Sequence, residues 1–155
     1  MTTTSYAIGL GSNRRGRHGG PDAEVRAALA ALPGVIAVAP LLHSAPLGPS
    51  LRRFANTVAL IATDEDPPAL LRRLKAIERA FGRRRGRRWG ARVIDLDILL
   101  WSAGAWGSPG LTVPHPVFRE RAFVLDPLAQ VAPGWRDPVS GLTIRQLRAR
   151  FHRRD

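Results

Sequence analysis

The sequence predicts an α+β fold in which strands and helices follow one another in the order β-α-β-β-α-β. Two segments show apolar residues at helical spacing, and four short runs are rich in the apolar and β-branched residues that strands favour. Glycine, proline and asparagine mark the boundaries between these segments. Such a succession indicates an antiparallel sheet that is covered by helices.

The first half of the chain predicts a strand, a helix and two further strands. Tyr6–Leu10 is a short apolar run that ends at the turn signal GSN. Pro21 suits the first position of a helix, and the apolar stripe of that helix is Val25, Ala28, Leu29 and Leu32. The dipeptide PG ends it, and strands are predicted at about Val35–Ser44 and Phe54–Thr63.

The second half predicts one more helix, one more strand and an extension. Asp66 is the expected N-cap of the helix, and its stripe is Leu70, Leu74, Ile77 and Phe81. Val93–Leu100 is the last strand, and residues 101–155 are expected to form loops and two short helices, the second of which starts at Thr143 with a capping box. The prediction is a ferredoxin-like sandwich with a C-terminal extension, in which one face of the sheet is open to a ligand or an added layer.

Length and composition indicate a single domain over residues 1–155. There is no run of 18 apolar residues and no signal peptide at the N-terminus, so a cytoplasmic protein without a membrane span is expected. Cysteine is absent, which excludes disulfides, thiolate chemistry and Cys-based zinc sites.

The chain is strongly basic, with a formal net charge of +12. This charge favours anionic partners, which include nucleic acid, nucleotides and phosphorylated metabolites, without choosing among them. The segment GSNRRG lacks the terminal G-K-[ST] of a P-loop, and no kinase-type glycine loop is present. Any phosphoryl transfer must therefore use another framework.

The last predicted strand carries two carboxylates on one face. Because strand side chains alternate, Ile94, Leu96, Ile98 and Leu100 are expected under the helices, and Val93, Asp95, Asp97 and Leu99 on the open face. Two carboxylates so close repel each other unless a positive group lies between them. That group could be arginine or a divalent cation such as Mg²⁺. The alternative is a pair of surface aspartates in salt bridges with their neighbours.

Basic side chains are concentrated on either side of this strand. The segment GRRRGRRWGAR before it suits polyphosphate with Mg²⁺, and its arginines are Arg83, Arg84, Arg85, Arg87, Arg88 and Arg92. The alternative, a solvated flexible loop, is expected for several of these six. After it, His115 lies between two prolines and precedes Arg119, Arg121 and Phe123. The alternative for His115 is a rigid turn with an incidental histidine.

Six segments together resemble the 6-hydroxymethyl-7,8-dihydropterin pyrophosphokinase family of folate biosynthesis. They are GLGSN, SAPLG, FANTVAL, IERAFGR, RWGARVIDLDILL and LTVPHPVFRERAFVLDPL, between about residues 5 and 150. The resemblance implies a ferredoxin-like core and the transfer of pyrophosphate from ATP to the pterin hydroxymethyl oxygen, which releases AMP. A Mg²⁺-dependent diphosphokinase is therefore expected.

The resemblance also implies the roles of individual residues. Asp95 and Asp97 would bind two Mg²⁺ ions, and Arg83 and Arg92 would stabilise charge during catalysis. The residues implied for ATP binding are Glu78, Arg83, Arg92, Ile98, Thr112, His115 and Arg121. Those implied for pterin binding are Ser44, Leu47, Phe54, Asn56, Trp89 and Phe123, with Trp89 covering the site. For Glu78 the alternative is a solvated helix face.

Two other functions stay open at this stage. The same topology occurs in RNA-binding modules, although their open face carries aromatic residues instead of carboxylates. A catalytically silent relative that binds pterin or ATP is the second alternative. The partners expected are ATP and a reduced pterin, with no nucleic acid and no membrane, and the protein is expected to be a monomer.

Overall fold

The computed structural model describes residues 2–44, 54–82 and 93–153. Within them, five strands form one antiparallel sheet in the order β2-β4-β1-β5, with β3 also paired to β4. These strands are β1 (Thr4–Ser12), β2 (Val35–Val38), β3 (Leu42–Ser44), β4 (Phe54–Thr63) and β5 (Asp95–Trp101). A separate hairpin consists of β6 (Trp106–Ser108) and β7 (Leu111–Val113).

The described helices are α1 (Pro21–Ala31), α2 (Pro67–Ala80), α3 (Ala122–Val131) and α4 (Ile144–Arg153), with a short 3-10 helix at Phe118–Glu120. The Asp66 side chain accepts a hydrogen bond from the Ala69 amide at 2.9 Å, as an N-cap does. Thr143 and Gln146 bond each other's backbone N–H through their side chains, so the predicted capping box is confirmed. No described helix combines the length and the apolar character needed to cross a membrane.

Helices α1 and α2 cover one face of the sheet, as predicted. Their apolar stripes pack on alternate side chains of β1, β4 and β5, and the buried members of this core include Ile8, Leu10, Val25, Ile61, Leu70, Leu74, Ile94, Leu96 and Ile98. Burial of apolar side chains is the main source of stability for a domain. The core therefore fixes which side chains of β5 are turned away from the helices.

The C-terminal extension covers part of the opposite face. Phe118, Leu125, Leu128, Ile144 and Leu147 pack there against buried side chains of the sheet, namely Ala7, Val58, Leu60, Leu99 and Leu100. The expected added layer is thus present over one end of this face. The other end remains accessible and forms a cleft.

Two details of the sheet differ from the sequence-based prediction. The predicted strand Val35–Ser44 is two strands, β2 and β3, and Pro40 lies between them without an N–H group for the ladder. Leu100 packs with the C-terminal helices and not under α1 and α2, so its predicted face was wrong. The reason is a shift in register: Ala7 pairs with Leu100, whereas Ile8 pairs with Ile98.

Candidate active site

A cleft of about 690 Å³ lies on the face of the sheet opposite α1 and α2. Its floor is formed by the ends of β1, β4 and β5, and its wall by the chain between His115 and Val124. The lining includes Gly9, Gly11, Ser12, Asn13, Phe54, Asn56, Asp95, Asp97, Leu99, His115, Phe118, Glu120, Arg121 and Phe123. Seven of the residues proposed from the sequence are therefore brought together here: Phe54, Asn56, Asp95, Asp97, His115, Arg121 and Phe123.

Asp95 and Asp97 both point into the cleft from β5. They are half-buried, whereas Leu96 between them is buried in the core on the other side. Burial, with the negative charges of Asp95 and Glu78, raises the pKa of Asp97 to about 6, and the positive charge of Arg121 offsets part of this effect. The carboxylates thus form a site of concentrated negative charge that favours a cation.

The oxygen donors of this pair suit a hard divalent cation such as Mg²⁺. Among residues 2–44, 54–82 and 93–153, no three Asp, Glu, His or Cys side chains are grouped as a fuller metal site. Magnesium commonly binds through one or two carboxylates and completes its shell with substrate phosphates and water. The two aspartates therefore fit a metal that arrives together with a polyphosphate.

Glu78 lies beneath the strand that carries this pair. Its side chain is only 1% exposed, so the alternative of a solvated helix face was wrong. One of its carboxylate oxygens accepts a hydrogen bond from the Leu96 amide at 2.8 Å, and Lys75 lies 3.5 Å from the other. Glu78 therefore joins α2 to the backbone between Asp95 and Asp97.

We expect Glu78→Leu to lower the free energy of unfolding by about 1–3 kcal/mol, because the buried Leu96 N–H loses this acceptor. Glu78→Gln keeps an acceptor oxygen for the Leu96 N–H, so it should lower the free energy of unfolding by less than Glu78→Leu does. Urea unfolding of both variants measures the difference. Equal losses would show that the charge of Glu78, and not its hydrogen bond, supports the strand.

The wall of the cleft is fixed by backbone contacts around His115. The His115 amide donates to the Leu99 carbonyl at 3.0 Å, and the Val117 amide donates to Nδ1 of the His115 ring at 3.3 Å. Burial and the positive charge of Arg121 lower the pKa of His115. Since Nδ1 accepts, Nε2 carries the ring proton in the neutral form and can donate to a ligand oxygen.

Arg119 holds this wall from behind, a role that the sequence did not predict. Its guanidinium donates two hydrogen bonds to the buried Asp137 carboxylate, at 2.6 and 2.7 Å. These bonds raise the pKa of Arg119. The sequence contained one indication of this role. The two arginines of FRER are two residues apart and point to different surroundings: Arg119 to Asp137 and Arg121 to the cleft.

The side of the cleft that β4 and the start of α3 form combines aromatic rings with a buried amide. Phe54 and Asn56 come from β4, and Phe123 comes from the start of α3. Asn56 is 7% exposed, and its amide offers both donors and an acceptor. The set suits a flat ligand with a polar edge.

Other predicted residues lie elsewhere. Ile98 is buried beneath the sheet, and Thr112 lines a separate hollow of about 470 Å³ near Trp106. The backbone of Ser44 pairs with Phe54 at the rim of the sheet. Several predicted residues fall outside the described ranges: Leu47, Arg83, Arg84, Arg85, Arg87, Arg88, Trp89 and Arg92.

The structure also adds residues of the segment GLGSN to the cleft; Gly9 was predicted inside the first strand, and Gly11 and Asn13 were predicted as a turn. Strand β1 continues to Ser12, so Gly9 and Gly11 belong to the floor of the cleft, and Asn13 reaches its edge. The signal in the sequence was two glycines at strand spacing in GLGSN. Glycines at alternate positions leave one face of a strand free for a close approach.

A helix-backed antiparallel sheet with a carboxylate pair and an aromatic cleft on its other face is typical of an α+β enzyme with a small-molecule site. Comparison with known proteins identifies the family to which the chain belongs. The family model of 7,8-dihydro-6-hydroxymethylpterin-pyrophosphokinase (HPPK) matches residues 7–133. The chain belongs to this family, which confirms the predicted resemblance and the predicted class, an ATP-dependent diphosphokinase of folate biosynthesis.

Relatives named 2-amino-4-hydroxy-6-hydroxymethyldihydropteridine pyrophosphokinase are similar over much of the chain. The Pseudomonas aeruginosa protein is 46% identical, with 84% of this chain and 82% of that protein covered. The Methylorubrum extorquens protein is 40% identical, with 96% and 94% covered. The Synechocystis protein is 43% identical over 68% of this chain, which spans only 54% of that protein's length.

The solved structures show the same fold at low identity. The crystal structure of Plasmodium falciparum HPPK-DHPS with pteroate is 16% identical and superposes with a TM-score of 0.74. The match covers 99% of this chain and 43% of that longer chain. This likeness concerns the mixed helix and antiparallel-sheet architecture alone.

Proposed function

We propose that this chain transfers the pyrophosphoryl group of ATP to the hydroxymethyl oxygen of 6-hydroxymethyl-7,8-dihydropterin, giving AMP and the pterin pyrophosphate. The main support is that one cleft contains Asp95 and Asp97 together with Phe54, Asn56 and Phe123. The carboxylate end suits a metal-bound polyphosphate, and the aromatic end suits a flat heterocycle. Both substrates could thus meet on one face of the sheet.

The carboxylate end would provide the electrostatics of the transfer. Two Mg²⁺ ions, the number implied by the family resemblance, would be held by Asp95 and Asp97 and would neutralise charge on the phosphates and the hydroxyl oxygen. Arg121 adds positive charge, and His115 Nε2–H is available to a phosphate oxygen. Arg83 and Arg92 are proposed to hold the remaining phosphates. Phosphoryl transfer depends mainly on such positioning and charge stabilisation.

The aromatic end would select the pterin. Phe54 and Phe123 offer apolar surfaces for stacking, and the Asn56 amide can pair with a ring edge that has a donor beside an acceptor. A buried polar group rejects ligands that leave it unpaired, which is a strong source of discrimination. Ser44, Leu47 and Trp89 are proposed to complete this site, with Trp89 as its cover.

The nucleotide would extend away from the cleft. The family resemblance implies contacts with adenosine at Ile98 and Thr112 and support from Glu78. Strand β7, which carries Thr112, lies close to β5, so a nucleotide that crosses the edge of the sheet could reach it. Glu78 would act through the backbone of β5.

We also infer that the core is ferredoxin-like and that residues 1–155 form one domain. The strand order β2-β4-β1-β5 and the helices that follow β1 and β4 support this arrangement. The described C-terminal helices support a single domain, because they pack on the same sheet.

Protein mixed with ATP, Mg²⁺ and the reduced hydroxymethylpterin is expected to give AMP and pterin pyrophosphate in equal amounts. Chromatographic separation of the nucleotides and pterins measures both products. The matched control is 6-methyl-7,8-dihydropterin, which should bind without releasing AMP because it lacks the accepting hydroxyl.

Three outcomes would contradict this proposal. Formation of ADP would indicate transfer of a single phosphoryl group. Binding of both substrates without turnover would indicate a silent relative. Absence of turnover together with salt-sensitive, Mg²⁺-independent binding of RNA would favour the RNA-binding alternative.

A further inference from the structure

Two glycines of β1 lie between the two functional ends of the cleft. Gly11 pairs with Asn56 of β4 on one side and with Asp95 of β5 on the other. Gly9 pairs with Asp97 in the same way. Directly paired residues of antiparallel strands project to the same face, so a side chain at either glycine would enter the cleft.

The two glycines differ in what such a side chain would meet. A Cβ atom at Gly9 would lie 3.4 Å from the Leu99 side chain, which is ordinary contact. A Cβ atom at Gly11 would lie 2.7 Å from Oδ1 of Asn56, a distance that real Cβ atoms essentially never show. The next atoms around it are 3.8 and 3.9 Å away. A side chain at position 11 would therefore clash with one atom only, the amide oxygen of Asn56.

This conflict can be relieved without unfolding the strand. The backbone φ of Gly11 is not positive, so alanine can adopt its conformation. The atom in the way is the end of a side chain, which can rotate. Asn56 would then have to move its amide away from β1, which changes the direction in which the donors and the acceptor of the amide meet the ligand.

We propose that Gly11 is a specificity-determining residue that acts through Asn56: by lacking a side chain, it lets the amide oxygen lie over β1 and so sets the direction in which the amide meets the pterin ring. This role rests on the proposed function, in which Asn56 recognises the pterin. It explains why glycine occupies a paired position inside a strand, where it is intrinsically unfavourable. It also assigns Gly11 to the pterin end and not to the nucleotide.

The test is Gly11→Ala, with pterin binding measured directly by titration without ATP and the KM values measured for both substrates. The dissociation constant and the KM for the pterin are expected to rise at least about tenfold, whereas the KM for ATP should change by less than about twofold. The matched control is Gly134→Ala, because a Cβ atom there meets nothing within 4 Å. It should leave both substrates unaffected.

The mechanism is tested by a double-mutant cycle with Asn56→Ala. If Gly11 acts through the amide, Gly11→Ala should have no further effect on pterin binding once Asn56 is alanine. Additive losses would overturn the inference. If Gly11→Ala alone fails to fold, the double variant should fold again, because the clashing amide is gone; a double variant that remains unfolded would also overturn it.

Failure of this inference is separable from failure of the proposed function. Wild-type protein that releases no AMP contradicts the function. Active wild-type protein with unchanged pterin binding in Gly11→Ala contradicts the role of Gly11 alone.

Discussion

Asp97→Asn is expected to lower kcat at least about 100-fold, the usual cost of removing one preorganised electrostatic group from an active site. The substitution keeps the size of the side chain and removes its negative charge. The site would then lose one of the two carboxylates that suit Mg²⁺. Steady-state assays over a range of Mg²⁺ concentrations should show a lower kcat and a higher concentration of Mg²⁺ at half-maximal rate.

Asp64→Asn is the matched control for this substitution. Asp64 is an exposed aspartate at the far end of β4, where it accepts a hydrogen bond from the Thr3 side chain. Its kcat and Mg²⁺ dependence should equal those of the wild type. If Asp97→Asn also behaved as the wild type, Asp97 would be a surface charge without a catalytic role.

The face that carries the aspartates was predictable because it depends on local geometry. Side chains in a strand alternate, so the apolar pattern of Ile94, Leu96 and Ile98 already placed Asp95 and Asp97 together on the side away from the helices. Leu100 was not predictable in the same way. Its face depends on how β5 pairs with the distant β1, whose register shifts between Ala7 and Ile8.

The burial of Glu78 was predictable from its position in the helix, although its charge suggested an exposed residue. It follows Leu74 by four residues, so it lies on the apolar stripe of α2 and must enter the core with that stripe. A buried carboxylate needs a partner, and the Leu96 amide of β5 is one partner of Glu78. Helical spacing therefore predicts that Glu78 is buried. Its hydrogen-bond partner can be identified only from the folded sheet.

The cleft itself could be predicted only in its parts. The motifs around His115 and Asn56 indicated a site, but the distance between them in the chain leaves their arrangement to the fold. Gly11 was read as part of a turn because GSN is a turn signal. Its role requires knowledge of which residues lie on the two neighbouring strands.

The largest expected loss of stability is at Asp137, whose side chain is completely buried. It accepts two hydrogen bonds from Arg119, one from the Val139 amide and one from the Ser140 hydroxyl. Removal of one partner from a buried ion pair leaves the other unpaired, so Asp137→Ala should lower the free energy of unfolding by about 3–5 kcal/mol. Asp126→Ala is the matched control, since Asp126 pairs with Arg148 at a more exposed position and should cost no more than about 1 kcal/mol.

The Asp137 carboxylate should also make the free energy of unfolding depend on pH. Burial alone would raise the pKa of Asp137, but its bonds from Arg119, Ser140 and Val139 outweigh burial and lower the pKa from 3.8 to about 2. The unfolded chain therefore takes up this proton first as the pH falls. The contribution is complete above about pH 5 and is lost as the pH falls towards 2, and it amounts to roughly 2 kcal/mol.

Urea unfolding at several pH values between 6 and 2 tests this assignment. The difference in unfolding free energy between the wild type and Asp137→Asn should be constant above about pH 5 and should shrink as the pH falls below about 4. Asparagine has no proton to gain in this range, so the variant lacks this part of the acid sensitivity. A difference that stays constant down to pH 2 would show that the Asp137 carboxylate is not held in its charged form by Arg119. The wall that carries His115 and Arg121 would then be held without a contribution from this charge, by the backbone bond of His115 to Leu99 and by the packing of Phe118.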